Sequence, residues 1–313
     1  MTRAFVFPGQ GSQAVGMGQA LAEAFPAARE LFEEVDEALK QRLTKLMREG
    51  PESELTLTEN AQPALMAVSL AALRVLEREM GHRLADVAAL VAGHSLGELS
   101  ALAAAGAFTV SDAARLLKRR GQAMQRAVPV GEGAMAALVG ADLEQAESIA
   151  KDAAQGEVCA AANDNAPGQV VVSGHARAVE RAIALATERG IKRSIMLPVS
   201  APFHCPLMQP AAEELAEALA EIPILPPVVP LVANVTAAPV KNPETIRRLL
   251  VEQVTGLVRW RESVLTMKEA GVDTIVELGA GKVLGGLVKR IDRDLTAVSV
   301  GTPVELEALA KTL

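Results

Sequence analysis

The sequence predicts an α/β fold with a mainly parallel sheet and a small inserted subdomain. Three observations carry this. Short apolar runs alternate with helical patterns toward both ends of the chain, which implies strands joined by helical crossovers. Residues 134–195 run strand–helix–strand–strand–helix–strand, the ferredoxin-like order. The flanks of that stretch, Val128–Gly133 and Pro198–Pro202, carry Pro or Gly and suit linkers. The expected division is therefore 1–128 with 200–313 as one domain and 129–199 as the insert.

The elements follow in chain order. Ala4–Phe7 is an apolar run that meets Pro8 and Gly9, a buried strand entering a Gly-rich turn. Helical patterns cover Met17–Phe25, Ala27–Leu46 and Pro63–Met80, with Pro63 suited to a first helical turn. Val87–Ala92 is the next strand and Leu96–Ala105 the next helix. Inside the insert, Met135–Val139 reads as strand and Leu143–Ala154 as helix. Val158–Ala162 and Val170–Ser173 are strands around a turn, Asn163–Gly168. Ala176–Arg189 is a helix and Arg193–Leu197 a strand. Beyond it, Met208–Glu221, Glu244–Val254 and Glu262–Ala270 are helical. Val228–Ala233, Thr274–Glu277 and Thr296–Val300 are strands.

Composition excludes several classes. Half of the 313 residues are apolar and 22% are charged, enough to build a sizeable core. Six Phe, one Trp and no Tyr leave little for base stacking, and a net charge of −7 opposes a phosphate backbone. No nucleic-acid partner is expected. No window reaches about 18 uninterrupted apolar residues, and the start lacks a basic, apolar leader, so neither membrane nor export is expected. Cys159 and Cys205 make no disulfide framework. No His or Cys pair has metal-ligand spacing, so no metal and no cofactor are expected. The expectation is a cytoplasmic monomer.

Gly93-His94-Ser95-Leu96-Gly97 is a G-x-S-x-G pentapeptide with a strand before it and a helix after it. That context puts the Ser on a sharp turn, its hydroxyl projecting from the sheet as a nucleophile. Such a Ser needs a base. His94 adjoins it, and neighbouring side chains at a turn diverge, so His94 reads as a structural contact. His82 and His175 lie in polar surroundings and read as solvated. His204 lies between Pro202 and Pro206 in a loop that two prolines stiffen. On the residues alone His204 is the best-placed candidate, and the base stays open. Cys205 reads as a small packing residue.

Phe7-Pro8-Gly9-Gln10-Gly11-Ser12-Gln13 resembles the N-terminal signature of the malonyl-CoA:acyl carrier protein transacylase family, and Gly93–Glu98 its nucleophile elbow. Gln62-Pro63-Ala64-Leu65, Arg120-Gly121, Gly133-Ala134-Met135, Ala162-Asn163, Pro167-Gly168-Gln169, Asn234-Val235-Thr236 and Val283-Leu284 match in the family's order, over roughly residues 3–292. The resemblance implies an α/β-hydrolase-like domain carrying the ferredoxin-like insert. It implies Ser95 as the acylated nucleophile, His204 as its base and acid, and Gln253 as the carbonyl that orients His204. Arg120 would bind the malonyl carboxylate, and the N–H groups of Gln10 and Leu96 would form the oxyanion hole. The implied partners are malonyl-CoA and holo acyl carrier protein, by default in fatty-acid synthesis. Lys192, Arg193, Lys289 and Arg290 could dock an acidic carrier or be ordinary solvated charges. Ala280 departs from the Pro that many relatives carry.

Other readings compete. A serine esterase would run Ser, Asp or Glu, then a late His, whereas His204 is in mid-chain. A polyketide or malonate-decarboxylase transacylase would look much the same as a fatty-acid one. Gly9–Ala14 fits a dinucleotide G-x-G-x-x-A, but the second strand such a motif needs is replaced by helix at 27–50. Gly281-Lys282 lacks the Ser or Thr of a P-loop. Without the resemblance, Arg120 would read as a surface charge in Lys118-Arg119-Arg120.

Overall fold

A computed structural model describes residues 1–313. Two sheets organise the chain. Strands β1 (Arg3–Phe7), β2 (Leu90–Gly93), β7 (Leu231–Val232), β8 (Pro239–Val240), β9 (Thr274–Leu278) and β10 (Thr296–Val300) form the larger one, in the order β10-β9-β1-β2-β7-β8. All its pairings are parallel except β7 with β8. Strands β3 (Gly133–Val139), β4 (Cys159–Ala166), β5 (Gln169–His175) and β6 (Arg193–Met196) form the smaller, antiparallel sheet, ordered β4-β5-β3-β6. The fold is thus α/β, with a mainly parallel sheet and a separate antiparallel one.

The larger sheet is covered on both faces. Ala4, Phe5, Val6 and Phe7 are fully buried, as a central parallel strand requires. Phe5 and Phe7 face one core with the long helix Thr58–Arg78, while Ala4 and Val6 face a second core containing Trp260 and Val264. The chain runs outward from β1 through β2 to β7 and then returns to the other side of β1 as β9. The crevice beyond the carboxyl ends of β1, β2 and β7 is where such a reversal opens space for a ligand.

Several elements differ from expectation for identifiable reasons. Pro63 stands inside the helix Thr58–Arg78, not in its first turn. Its ring removes the N–H that would bond the Glu59 carbonyl, a cost carried by a helix buried along most of its length. Residues 27–46 split into Pro26–Leu39 and Leu43–Glu49 because Lys40 adopts a left-handed conformation, φ 50°. The second strand starts at Leu90, because Leu84–Val87 is a short helix. The β4–β5 turn is tighter than Asn163–Gly168, with β4 running on to Ala166. The helices Val110–Ala127, Val283–Ile291 and Pro303–Ala310 were not anticipated. Val110–Ala127 is amphipathic, capped by Thr109 Oγ1 accepting from Asp112 N at 3.0 Å, and buries Ala113, Leu116, Leu117, Arg120 and Met124 on one face.

That helix packs on Thr58–Arg78 through Gly121. A Cβ at Gly121 would lie 2.6 Å from Glu59 Cα, against backbone that cannot yield cheaply. Gly286, exposed inside the helix Val283–Ile291, would place a Cβ in open space. Gly121→Ala should therefore destabilise by about 1–3 kcal/mol through overpacking. Gly286→Ala should be neutral or stabilise by up to about 1 kcal/mol through helix propensity. Thermal unfolding of both variants checks this pair, and a Gly121→Ala protein as stable as wild type would contradict it.

Candidate active site

The site grows out of the turn after β2. Ser95 has φ 53° and ψ −109°, a conformation that non-Gly residues rarely adopt and that costs of order 1–3 kcal/mol. The neighbours make it possible. A Cβ on Gly93 would overlap the Gly97 carbonyl, and a Cβ on Gly97 would overlap the Phe7 carbonyl. Both positions need glycine because strand, turn and helix Leu96–Ala104 approach at backbone contact. His94 N donates to Phe7 O at 3.1 Å, tying the turn to the end of β1. Asn234, just beyond β7, closes it. Its Oδ1 accepts from Ser95 N at 2.8 Å and its Nδ2 donates to Gly93 O at 2.7 Å.

Ser95 Oγ lies 2.8 Å from His204 Nε2. His204 Nδ1 donates to the backbone carbonyl of Gln253 at 2.8 Å, which leaves Nε2 unprotonated and facing the serine hydroxyl. His204 is buried, with φ 58°. Burial and then the Arg120 charge hold its pKa down to about 3, so the ring is neutral at ordinary pH. His94 faces elsewhere. Its Nε2 lies 2.8 Å from Asn165 Oδ1, and its ring packs 5.8 Å from Trp260. Burial lowers its pKa as well.

Arg120 is the largest polar side chain in the interior, 1% exposed. Its two predecessors behave as surface charges: Lys118 pairs with Glu59, and Arg119 with Glu214, Glu217 and Glu221. Arg120 turns inward. Nη1 donates to Gln62 Oε1 at 2.8 Å, and Nη2 to Gln253 Oε1 at 2.9 Å and to Ser95 Oγ at 3.1 Å. All three acceptors are neutral. Its buried Nε has no partner. Desolvation lowers its pKa to about 10, so it stays charged near neutrality.

Beneath these residues lies Glu98, 1% exposed on the helix Leu96–Ala104. Its Oε2 accepts from Asn234 N at 3.0 Å and from Gln253 Nε2 at 2.9 Å. Gln253 Nε2 also donates to Ser95 O at 2.9 Å. Burial raises the Glu98 pKa to about 7.

The structure brings Ser95, His204, Arg120 and Gln253 into one hydrogen-bonded cluster. Gln10 lies beside it: Gln10, Ser95, Arg120, His204, Asn165 and Leu197 all line one cleft of about 510 Å³ between the two sheets. Leu96 opens its helix, so its N–H has no acceptor within that helix. Gln62, Glu98 and Asn234 stand inside sequence motifs, yet no local signal gives their partners in the site. His175 is not simply solvated: it is half-buried, and its Nδ1 accepts from Val158 N at 2.9 Å. The dinucleotide reading fails on topology, since the strand after β1 begins only at Leu90. Lys282 pairs with Glu305 at 2.7 Å.

Comparison with known proteins gives the lineage. Residues 4–301 match the family described as acyl transferase domain. The chain belongs to that family. This acyltransferase is 47% identical over 311 residues to the malonyl CoA-acyl carrier protein transacylase of Bacillus subtilis (strain 168), covering 99% of this chain and 96% of that one. Its fold is similar to the acyl-carrier-protein-S-malonyltransferase of Bartonella henselae, with a TM-score of 0.97 and 54% identity, covering 100% and 99% of the two chains. It is also similar, at 43% identity and a TM-score of 0.96 over the whole of both chains, to a malonyl-transacylase solved with a type II PKS acyl-carrier protein.

The geometry predicts an activated serine whatever the substrate. A fluorophosphonate should label Ser95, and His204→Ala should slow labelling by about 10²–10⁴-fold. Because the His204 pKa is depressed from 6.5 to about 3, its imidazole is neutral throughout that interval. Labelling should therefore persist down to about pH 5, where an ordinary histidine would be protonated. A rate that falls away with a midpoint near 6.5 would contradict the buried, neutral imidazole.

Proposed function

We propose that this acyltransferase moves a malonyl group from malonyl-CoA to the phosphopantetheine thiol of acyl carrier protein, through a malonyl ester on Ser95. The observation that carries this reading is a buried Arg120 whose guanidinium reaches the serine hydroxyl while facing only neutral acceptors. An ordinary ester pocket has no use for a desolvated cation beside its nucleophile. A substrate with a carboxylate on its acyl group does. The names of the relatives support the same chemistry.

The steps follow from the contacts. Ser95 Oγ attacks the thioester carbonyl carbon, and its proton passes to His204 Nε2. The Gln253 carbonyl holds Nδ1–H and so favours the imidazolium that forms. The negative charge on the former carbonyl oxygen falls to the backbone N–H groups of Gln10 and Leu96, two fixed donors that need no reorganisation. The C–S bond breaks, and the CoA sulfur leaves with the proton from His204. The carrier thiol then gives its proton to His204 and attacks the ester, the C–O bond breaks, and Ser95 recovers its proton. Two similar half-reactions share one machinery.

Arg120 selects the acyl group. A carboxylate entering the cleft loses its hydration, a cost that a charged fork with paired donors offsets. The division of labour we infer gives 1–128 and 200–313 the chemistry, while 129–199 supplies the opposite wall of the cleft through residues such as Asn165 and Leu197. The acceptor is a carrier protein, and we assign the product to fatty-acid synthesis.

Mass spectrometry of the intact protein mixed with malonyl-CoA should show one added malonyl group, mapping to Ser95. Arg120→Ala should lower kcat/KM for malonyl-CoA by about 2–5 kcal/mol in barrier and affect acetyl-CoA far less. Arg120→Lys should restore only part, because it keeps the charge and loses the fork. Equal losses toward both thioesters would remove Arg120 from the recognition of the carboxylate, and a malonyl group found elsewhere would overturn the reading.

A further inference from the structure

Glu98 touches no part of the cleft surface described above, yet every group of the active cluster reaches it within two contacts. Its carboxylate holds Asn234 N at 3.0 Å, and Asn234 Oδ1 holds Ser95 N at 2.8 Å. It holds Gln253 Nε2 at 2.9 Å, and the carbonyl oxygen of the same Gln253 amide holds Arg120 Nη2 at 2.9 Å. The backbone carbonyl of Gln253 holds His204 Nδ1 at 2.8 Å.

The Gln253 side chain therefore lies between a buried carboxylate and a buried guanidinium, with its NH₂ toward the first and its oxygen toward the second. Only this orientation places a donor against an acceptor at both ends. Reversed, the amide would set oxygen against carboxylate and NH₂ against guanidinium, two repulsive contacts in a dry site. An ionised Glu98 thus locks the amide. The amide also keeps the two charges apart. Were Glu98 in direct contact with Arg120, the pair would neutralise each other and an incoming carboxylate would gain little.

We propose that Glu98 is a positioning and specificity-determining residue: by fixing the Gln253 amide it holds Arg120 in place while leaving the guanidinium free to pair with the carboxylate of a dicarboxylic acyl thioester. This rests on the malonyl-transfer reading given above. Glu98 acts through Gln253 and Arg120 and touches no reacting atom.

The charge balance adds a pH signature. The charged group that acts on Glu98 is Arg120, on the helix Val110–Ala127; the nearest histidines, His204 and His94, belong to the serine cluster and act on each other and not on Glu98. Arg120 keeps its proton to about pH 10, the His204 ring is neutral above about 3, and His94 is lowered. Glu98, raised from 4.5 to about 7, is left as the group that changes charge near neutrality. Below that value the lock weakens, so preference for malonyl over acetyl should rise as pH passes upward through about 7. The ribose phosphate of CoA is common to both thioesters and cancels in the ratio.

The test uses the full chain with Glu98→Gln and Glu98→Asp, each checked for wild-type circular dichroism. Acyl-enzyme formation from malonyl-CoA and acetyl-CoA is followed across that pH range, with steady-state KM and kcat for malonyl-CoA. Glu98→Gln should raise KM for malonyl-CoA about tenfold, an ordinary coupling between two sites. The malonyl-to-acetyl ratio should fall at least fivefold, and its rise near pH 7 should disappear. Glu98→Asp, which keeps the charge, should keep that rise and an intermediate ratio. A proportionate loss toward both thioesters, a Glu98→Gln ratio equal to wild type, or a pH step surviving in Glu98→Gln would overturn the proposal. Wild-type enzyme that forms no malonyl-Ser95 would instead sink the functional reading. A wild type that forms it alongside an indifferent Glu98→Gln sinks only the role of Glu98.

Discussion

A charged guanidinium sits in the interior against neutral oxygens, and the rest of the site is arranged around that constraint. Burying a cation is costly, and Arg120 is compensated by three hydrogen bonds and by a carboxylate one amide away. That compensation is incomplete by construction, since Nε remains without a partner. Burial, and after it the same cation, depresses the imidazole of His204 and so keeps it neutral at ordinary pH. In the proposed reaction one charge would select the acyl group and add to the effect of burial on His204.

The elbow depends on a different constraint, backbone contact. Gly93, Gly97 and the end of β1 approach so closely that a single methyl group would separate strand from helix. This closeness holds Ser95 in a strained conformation, and the Asn234 side chain fastens the turn from the β7 side. The helix carrying Arg120 is seated by the same device at Gly121. Ser95 and Arg120 therefore lie on separate segments whose spacing is set by packed backbone, with His204 on a third, which suits chemistry that tolerates little displacement.

Much of this was legible in the sequence because the signals are local. The alternation of apolar runs and helical patterns gave the parallel sheet, and the strand–helix order of 134–195 gave the smaller one. The pentapeptide around Ser95 is short and its geometry demands glycine, so it could be read directly. His204 could be favoured from its prolines, and family resemblance supplied Gln253 and Arg120. What escaped was non-local. Glu98 and Asn234 are 136 residues apart, and nothing along the chain says that one carboxylate oxygen receives the other's N–H. Arg120 looked like surface because two of the three charges in its run are surface. Only the packing of its helix against Thr58–Arg78 turns the third inward. The helix Val110–Ala127 itself was missed where charged residues crowd its exposed face.

In the proposed reaction a buried cation recognises the acyl carboxylate before any bond changes. Isothermal titration of Ser95→Ala with malonyl-CoA and with acetyl-CoA isolates that step, because no ester can form. Tighter binding of malonyl-CoA by about tenfold or more is the predicted result, the order expected of charge-assisted hydrogen bonds. Equal affinities would contradict it and would place selection in the chemical step or outside Arg120.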